Sequence, residues 1–282
     1  REVFKMSADP YITKMKNNKL EDYEINHFKE LFLKWQNGDT GIIDWESFTA
    51  IDDSKTRLHS NLASVNDADL ADILSKVCMI KLNGGLGTTM GCEKAKSTIL
   101  VKDNQSFLDI IIQNLMTLNR KYDCQIPLYL MNSAYTEHDT TAITTQYHEQ
   151  ISIKSFLQSR YPRINKTTGQ PFQSKISEDA NWAPPGHGQI YDVLYNQGHL
   201  HDLLDQGIEI LFISNCDNLG AIIDPVILAS ILNEDTPFLI EMTEKTSNDK
   251  KGGTLIDSLD GTIKLLEIAQ VQDDKKHLFT DT

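Results

Sequence analysis

The residues best suited to chemistry begin at Leu82, where LNGGLGTTMG runs to Gly91 and leads on to Lys94, Lys96 and Ser97. Glycines at positions 84, 85, 87 and 91 let a backbone turn tightly and present amide hydrogens to an anion or a base with no side chain in the way. By type this is a phosphate- or nucleotide-binding loop; the alternative is a tight turn of purely structural use. No Gly-Lys-Ser/Thr closes it as in a Walker A loop, and the Gly85, Gly87, Gly91 spacing is one residue longer than the dinucleotide fingerprint. Lys96, close behind the loop in a chain of net charge −13, points toward phosphate rather than a merely solvated lysine.

Two further segments have the same character. In WAPPGHGQIY (Trp182 to Tyr191), two prolines and two glycines frame His187, which can donate to a phosphate oxygen or simply pack a turn. In SNCDNLGA (Ser214 to Ala221), Asp217 follows an apolar run. It is the most plausible Mg²⁺ ligand of the chain, because that ion needs only one or two protein carboxylates beside phosphate and water. Asp217 and Asn218 could equally be turn-formers after a strand. KKGGTL (Lys250 to Leu255) adds a second glycine pair near charge. Glu267, in the apolar LLEIAQ, either faces solvent from a strand or points into a pocket and accepts from sugar hydroxyls.

These segments need rigid elements behind them. Val77 to Leu82, Pro127 to Met131, Glu209 to Ser214 and Phe238 to Thr243 (FLIEMT) have the length and apolar content of strands. Helical patterns run from Phe107 to Leu118, around Tyr191 to Leu204 and from Pro225 to Leu232. Strands alternating with helices predict an α/β fold with a mainly parallel sheet covered on both faces, and ligands then sit at the carboxyl ends of its strands. Thr254 to Ile256 and Thr262 to Ile268 flank Asp260-Gly261, which suits a hairpin. The chain before residue 76 reads as a helical preface from Leu20 to about Ser75, with Tyr23, His27, Leu31 and Phe32 on one helical face. The expected division is therefore a helical segment over 1–75 and a catalytic core over 76–282. NGDTGIIDWESF (Asn37 to Phe48) is no calcium loop, since placing Gly41 sixth leaves Gln36 first and Ser47 last.

The acidic balance argues against nucleic acid and anionic membrane as partners, both of which are held by clustered Lys and Arg. The cysteines Cys78, Cys92, Cys124 and Cys216 are scattered, with neither a C-x-x-C pair nor zinc spacing, which suggests reduced thiols and a soluble, cytoplasmic protein. No apolar run is long enough for a membrane span. Arg1 stands where an initiator Met would be, and the chain is expected to be a fragment.

LNGGLGTTMG, LMNS (Leu130 to Ser133), SRYPRIN (Ser159 to Asn165), PPGHG, DNLGA, KGGTL and EIAQ, in this order, closely resemble the UTP–glucose-1-phosphate uridylyltransferases, also called UDP-glucose pyrophosphorylases, from about Leu74 to Phe279. The resemblance implies a Rossmann-like nucleotidyltransferase core of the glycosyltransferase A type, with a mainly parallel mixed sheet. A carboxyl-terminal β-helix domain would follow it in the family and is absent from this chain, whose core would be incomplete at its end. By the same resemblance, Leu82, Gly84 and Gly85 hold the uridine, with Met131, Gln158 and Gly186 around the uracil. Lys96 binds UTP phosphates, His187 the sugar phosphate and Asp217 the Mg²⁺, while Asn215, Gly253 and Glu267 line the sugar side. The implied reaction is attack by glucose 1-phosphate on the α-phosphorus of UTP, giving UDP-glucose and pyrophosphate. The family leaves room for a homo-oligomer of the complete protein.

Departures from the family pattern are Lys94-Ala95 for a usual Gly-Pro, Gln189 for a usual Asp, and Leu157 where Asn is common. Thr89 stands where N-acetylhexosamine enzymes commonly carry Arg, which favours a hexose without the acetamide. The alternatives are a pyrophosphorylase for another UDP-sugar or UDP-N-acetylhexosamine, a catalytically silent nucleotide-binding module and, more distantly, a dinucleotide-dependent oxidoreductase.

Overall fold

The computed structural model describes residues 6–86, 91, 94–234, 236–246 and 252–280. Thr89, on which the expectation about the acetamide rests, lies outside the described residues, as do Lys250 and Lys251. In chain order the first elements are α1 (Asp9–Asn17), α2 (Asp22–Gln36), β1 (Phe48–Ala50), α3 (Asp67–Ser75), β2 (Val77–Asn83), β3 (Leu100–Lys102), β4 (Gln105–Ser106) and α4 (Phe107–Tyr122). β5 (Leu128–Asn132), α5 (Glu137–Thr144), β6 (Ile153–Leu157), β7 (Tyr161–Pro162), β8 (Trp182–Ala183), α6 (Ile190–Asn196) and α7 (His199–Asp205) come next. The last are β9 (Ile210–Asn215), α8 (Pro225–Glu234), β10 (Thr254–Ser258), β11 (Ile263–Leu266) and α9 (Lys276–Phe279). No helix among the described residues is long and apolar enough to cross a membrane.

The chain forms two compact units. One draws on Asp9–Ile25 and Ala63–Asn233, the other on Asn26–Leu62 and the chain from Glu234 onward. The first holds a four-stranded sheet in the order β6-β5-β2-β9. All three of its pairings are parallel. Residues alternate across the central strand β2, as the strand repeat requires. Val77 and Met79 enter a core cluster with Leu108, Ile111, Ile112 and Leu115 of α4 and Leu228 of α8. Cys78 and Ile80 enter another with Ile190, Val193 and Leu194 of α6 and Leu203 of α7. Both faces of the sheet are therefore covered, as continuous apolar strands demand. α4 begins on a capping box in which Ser106 Oγ accepts from the Asp109 amide at 3.1 Å and Asp109 Oδ2 accepts from the Ser106 amide at 2.9 Å. It ends on Asp123 in the left-handed region, φ 50°.

In the other unit β10 pairs antiparallel with β11, as the Asp260-Gly261 turn predicts, and with β1 on its other side. Ile256, Leu266, Val271 and Phe279 make its core. β1 corrects the expectation of a purely helical preface: Phe48–Ala50 takes strand form because its partner is far away in sequence, at Ile256–Ser258.

Four further expectations change. FLIEMT is not a strand: residues 238–243 pair with no strand among the described residues, and Phe238, Leu239, Ile240 and Met242 are exposed. The fourth strand of the parallel sheet is instead IKSFL, β6, whose Lys154 and Ser155 disguise it because an edge strand tolerates polar side chains. The buried stripe of α2 is Ile25, Phe28 and Phe32, while Leu31 lies outside it and is exposed. The helix expected over Tyr191 to Leu204 is two, α6 and α7, divided at Gly198.

Candidate functional site at the carboxyl edge of the sheet

β2, β5, β6 and β9 deliver the sequence motifs to one edge. Leu82 is in register with both Met131 of β5 and Asn215 of β9, and Asn132 is in register with Leu157 of β6. The glycine loop leaves β2 over a buried polar network that would be costly if unpaired. Asn83 Nδ2 donates to Asn132 Oδ1 and to Thr140 Oγ1, each at 2.7 Å, and Asn132 Nδ2 donates to Glu137 Oε2. Ser133 Oγ donates to the Gly84 carbonyl at 2.9 Å.

Gln158 follows β6 with its amide donating to Asn132 O at 2.9 Å. Its side chain lies against Gly84 so closely that a Cβ at position 84 would stand 2.1 Å from Gln158 Nε2. Gln158 Oε1 is buried without a hydrogen-bond partner. An orphan amide oxygen beside an open glycine backbone is what the imide N–H of a uracil would satisfy. Met131 is wholly buried and underlies this corner within the second cluster, while Leu82 is partly buried beside it.

The charged groups stand at the β9 side of the edge. Lys96 opens a single 3₁₀ turn, Lys96–Thr98, and its amide donates to Gly85 O at 3.0 Å, which ties the lysine to the glycine loop. Its ammonium forms an ion pair with Asp217 Oδ2, and both side chains are about one-third exposed. Asp217 sits in a turn braced by the Cys216 amide donating to Leu82 O at 3.1 Å and by Asn218 Oδ1 accepting from the Gly220 and Ala221 amides at 3.1 and 3.2 Å. The neighbouring Asn215 ends β9 and is exposed.

His187 follows Gly186, whose φ of 115° suits glycine alone. Its ring reaches solvent, yet the protein packed around it holds its pKa below the ordinary value; the Asp217 charge pulls part of the way back. That direction favours the neutral imidazole, which has one N–H to give. Gln189 Oε1 accepts from the Ser159 amide at 2.8 Å, so the His187 turn is fastened to the residue after Gln158.

Gly253 and Glu267 belong to the other unit, where they face each other. A Cβ on Gly253 would lie 3.1 Å from Glu267 Oε1 and 2.9 Å from Leu265 Cδ1. Glu267 is not inside a strand as read from the sequence; it caps the turn Ile268–Gln270, with its amide donating to Gln270 Oε1 at 2.9 Å.

Sequence reasoning passed over three features. Lys81 is buried in β2; a lysine within VCMIKL was the visible signal. The Ala95 amide, at a position where the family pattern has proline and therefore no N–H, donates to Asp139 Oδ2 at 3.1 Å. A narrow cleft beside Gly84 is lined by Ser133, Tyr135, Arg160, Trp182 and Pro184. There Arg160 and Lys14 both stand over the Trp182 ring, 4.8 and 5.0 Å from its centroid.

A family model described as UTP–glucose-1-phosphate uridylyltransferase matches residues 25–282. The chain belongs to that family. It is 42% identical over 277 residues to the UTP–glucose-1-phosphate uridylyltransferase of Musa acuminata, covering 94% of this chain and 59% of that protein. It is 46% identical over 207 residues to the enzyme of the same name from Saccharomyces cerevisiae, covering 73% and 41%. The fold matches a UDP-glucose pyrophosphorylase mutant from Leishmania major in complex with UDP-glucose, with TM-score 0.85 and 31% identity over 98% of this chain and 60% of that one. The chain thus spans about half the length of the curated relatives it matches.

Proposed function

We propose that the complete protein transfers the uridylyl group of UTP to glucose 1-phosphate, giving UDP-glucose and pyrophosphate. The observation that carries this reading is the convergence at one sheet edge of an orphan amide acceptor beside a glycine backbone and of a Lys96–Asp217 pair with a neutral imidazole nearby. The first suits a uracil; the second suits polyphosphate and its cation. The names of the relatives supply the sugar.

The reaction asks little covalent chemistry of the protein. A phosphate oxygen of the sugar phosphate already carries the attacking charge, so the residues must align two mutually repelling anions and compensate charge moving onto the leaving pyrophosphate. Gln158 and the Gly84 backbone orient the base. Within their ion pair each of Lys96 and Asp217 is compensated by the other. In the complex Lys96 would serve the UTP phosphates, and Asp217 would hold a cation. His187, neutral, donates its N–H to the sugar phosphate without adding charge.

Mg²⁺ fits the donor set at Asp217, a single carboxylate that already holds a cationic group. Mg²⁺ needs only one or two protein carboxylates, so phosphate and water would supply its other ligands. Bound there, it would neutralise charge on the phosphates.

We also read the sheet and glycine loop as a nucleotidyltransferase core of the glycosyltransferase A type. The free thiols of Cys78, Cys124 and Cys216 support a cytoplasmic location. The test is pyrophosphate release by the full-length protein from UTP and glucose 1-phosphate with Mg²⁺. Release that requires both substrates is expected, and UTP binding without release would leave only a nucleotide-binding module.

A further inference from the structure

Beneath the Asp217 turn lies a charge that the reaction as described does not use. Lys81 is 1% exposed, in the third-last position of β2 and in register with Ser214 of β9. It points to the same side as Val77 and Met79, toward the cluster that includes Cys216, Ile223 and Leu228. An apolar side chain would suit that place. The ammonium finds two oxygens: Nζ donates to Ser214 Oγ at 2.7 Å and to the Ala221 carbonyl at 3.1 Å. These acceptors flank the Asp217 turn, one at the end of β9 and one on the far side of the Asn218 turn.

A buried ammonium whose donors go to both ends of one loop fixes the separation of those ends. The loop between them turns Cys216 and Leu219 inward against the core, while Asn215, Asn218 and Gly220 are exposed. Stability supplies no reason for the lysine, since an apolar residue of similar volume in such a place is often neutral or stabilising. Without the tie, the turn could still form through Asn218, and Leu219 would still pack on the core, but the Cys216 amide to Leu82 O would be the remaining backbone bond described between the turn and β2.

We propose that Lys81 is a positioning residue for the Asp217 turn, clamping Ser214 to Ala221 so that the Asp217 carboxylate is presented to the cation that accompanies the nucleotide. This rests on the functional reading above and deepens it. Lys81 touches no substrate; it acts through the loop. The effect is therefore on metal-dependent nucleotide binding, while the uracil corner at Gly84 and Gln158 is untouched.

The test is calorimetric titration of the full-length protein with UTP, with and without Mg²⁺, for wild type, Lys81→Met and Ser214→Ala, with melting curves of each. Lys81→Met should weaken binding of UTP with Mg²⁺ by about tenfold, the worth of a hydrogen bond to a charged group, and leave metal-free UTP binding within about twofold. Its melting temperature should not fall. Ser214→Ala, which keeps the charge and loses one tie, should show the same metal-dependent loss at about threefold; it carries the test if Lys81→Met does not fold. Equal losses with and without metal, or none in either variant, overturn the proposal. Failure of the wild type to bind UTP overturns the functional reading, and this inference with it.

Discussion

Gly84→Ala isolates the uracil corner from the charged one. The backbone at Gly84 is not in the left-handed region, so alanine meets no strain there. The new methyl does meet Gln158: 2.1 Å from Nε2 and 3.1 Å from Cδ, where ordinary contacts begin near 3.4 Å. The main chain of Gln158 is held by its amide bond to Asn132 O, so the side chain must swing away by more than an ångström. Overpacking of this kind costs about 1–3 kcal/mol. Losing the carboxamide from the base costs about 1.4 kcal/mol, or about tenfold in UTP affinity. The assay is UTP titration with melting curves on Gly84→Ala, Gln158→Ala and the double variant. Because both effects pass through one side chain, the double variant should regain stability relative to Gly84→Ala but not affinity. Wild-type UTP affinity in Gly84→Ala, or a double variant as unstable as the sum of the singles, would refute the assignment of Gln158 to the base.

The same geometry carries other expectations. In steady-state assays of the full-length protein, Lys96→Ala and Asp217→Ala should each lower kcat by about 10² or more, as removal of an electrostatic stabiliser does; near-wild-type turnover in either would remove it from the reaction. Lys81, pushed by burial from the ordinary 10.5 to about 8, gives stability a pH slope. Between those values the unfolded chain binds the proton and the folded one does not, so unfolding free energy should rise with pH there, by up to about 3 kcal/mol. Urea titrations at pH 7.5 and 10 should show the rise in wild type and its absence in Lys81→Met; an equal rise in both would locate its source elsewhere. Gly186→Ala, forced to a φ of 115°, should cost about 1–3 kcal/mol in melting experiments, and an unchanged melting temperature would show that the His187 turn relaxes freely.

The parts of this fold that could be read from the sequence are those whose signals are local. Val77 to Leu82 announces β2 by its apolar composition, the glycines at 84, 85 and 87 announce the loop, and the carboxyl-edge rule then puts Asp217 at the same edge of the sheet as that loop. Non-local pairing is where the reading failed. FLIEMT has the composition of a strand but no ladder among the described residues, whereas IKSFL looks too polar yet is accepted because β5 offers it an edge. Phe48–Ala50 becomes a strand only through a partner about 200 residues away. Within the site the motifs themselves were legible, and their mutual arrangement was not. Nothing in KST or DNLGA says that Lys96 and Asp217, 121 positions apart, will form an ion pair. The amide of Gln158 against Gly84 is likewise a meeting of two strand ends.

The two cations over Trp182 give the narrow cleft it lines an optical signature. An excited indole redistributes electron density across its rings, so its emission responds to charge held near them. With Arg160 and Lys14 each about 5 Å from the centroid, a small displacement of either group alters that field. Trp182 is buried while Trp35 is exposed at the surface, so the intrinsic fluorescence of the protein contains a shielded component that reports on this cleft. Any displacement of Arg160 or Lys14 would therefore register as a change of colour.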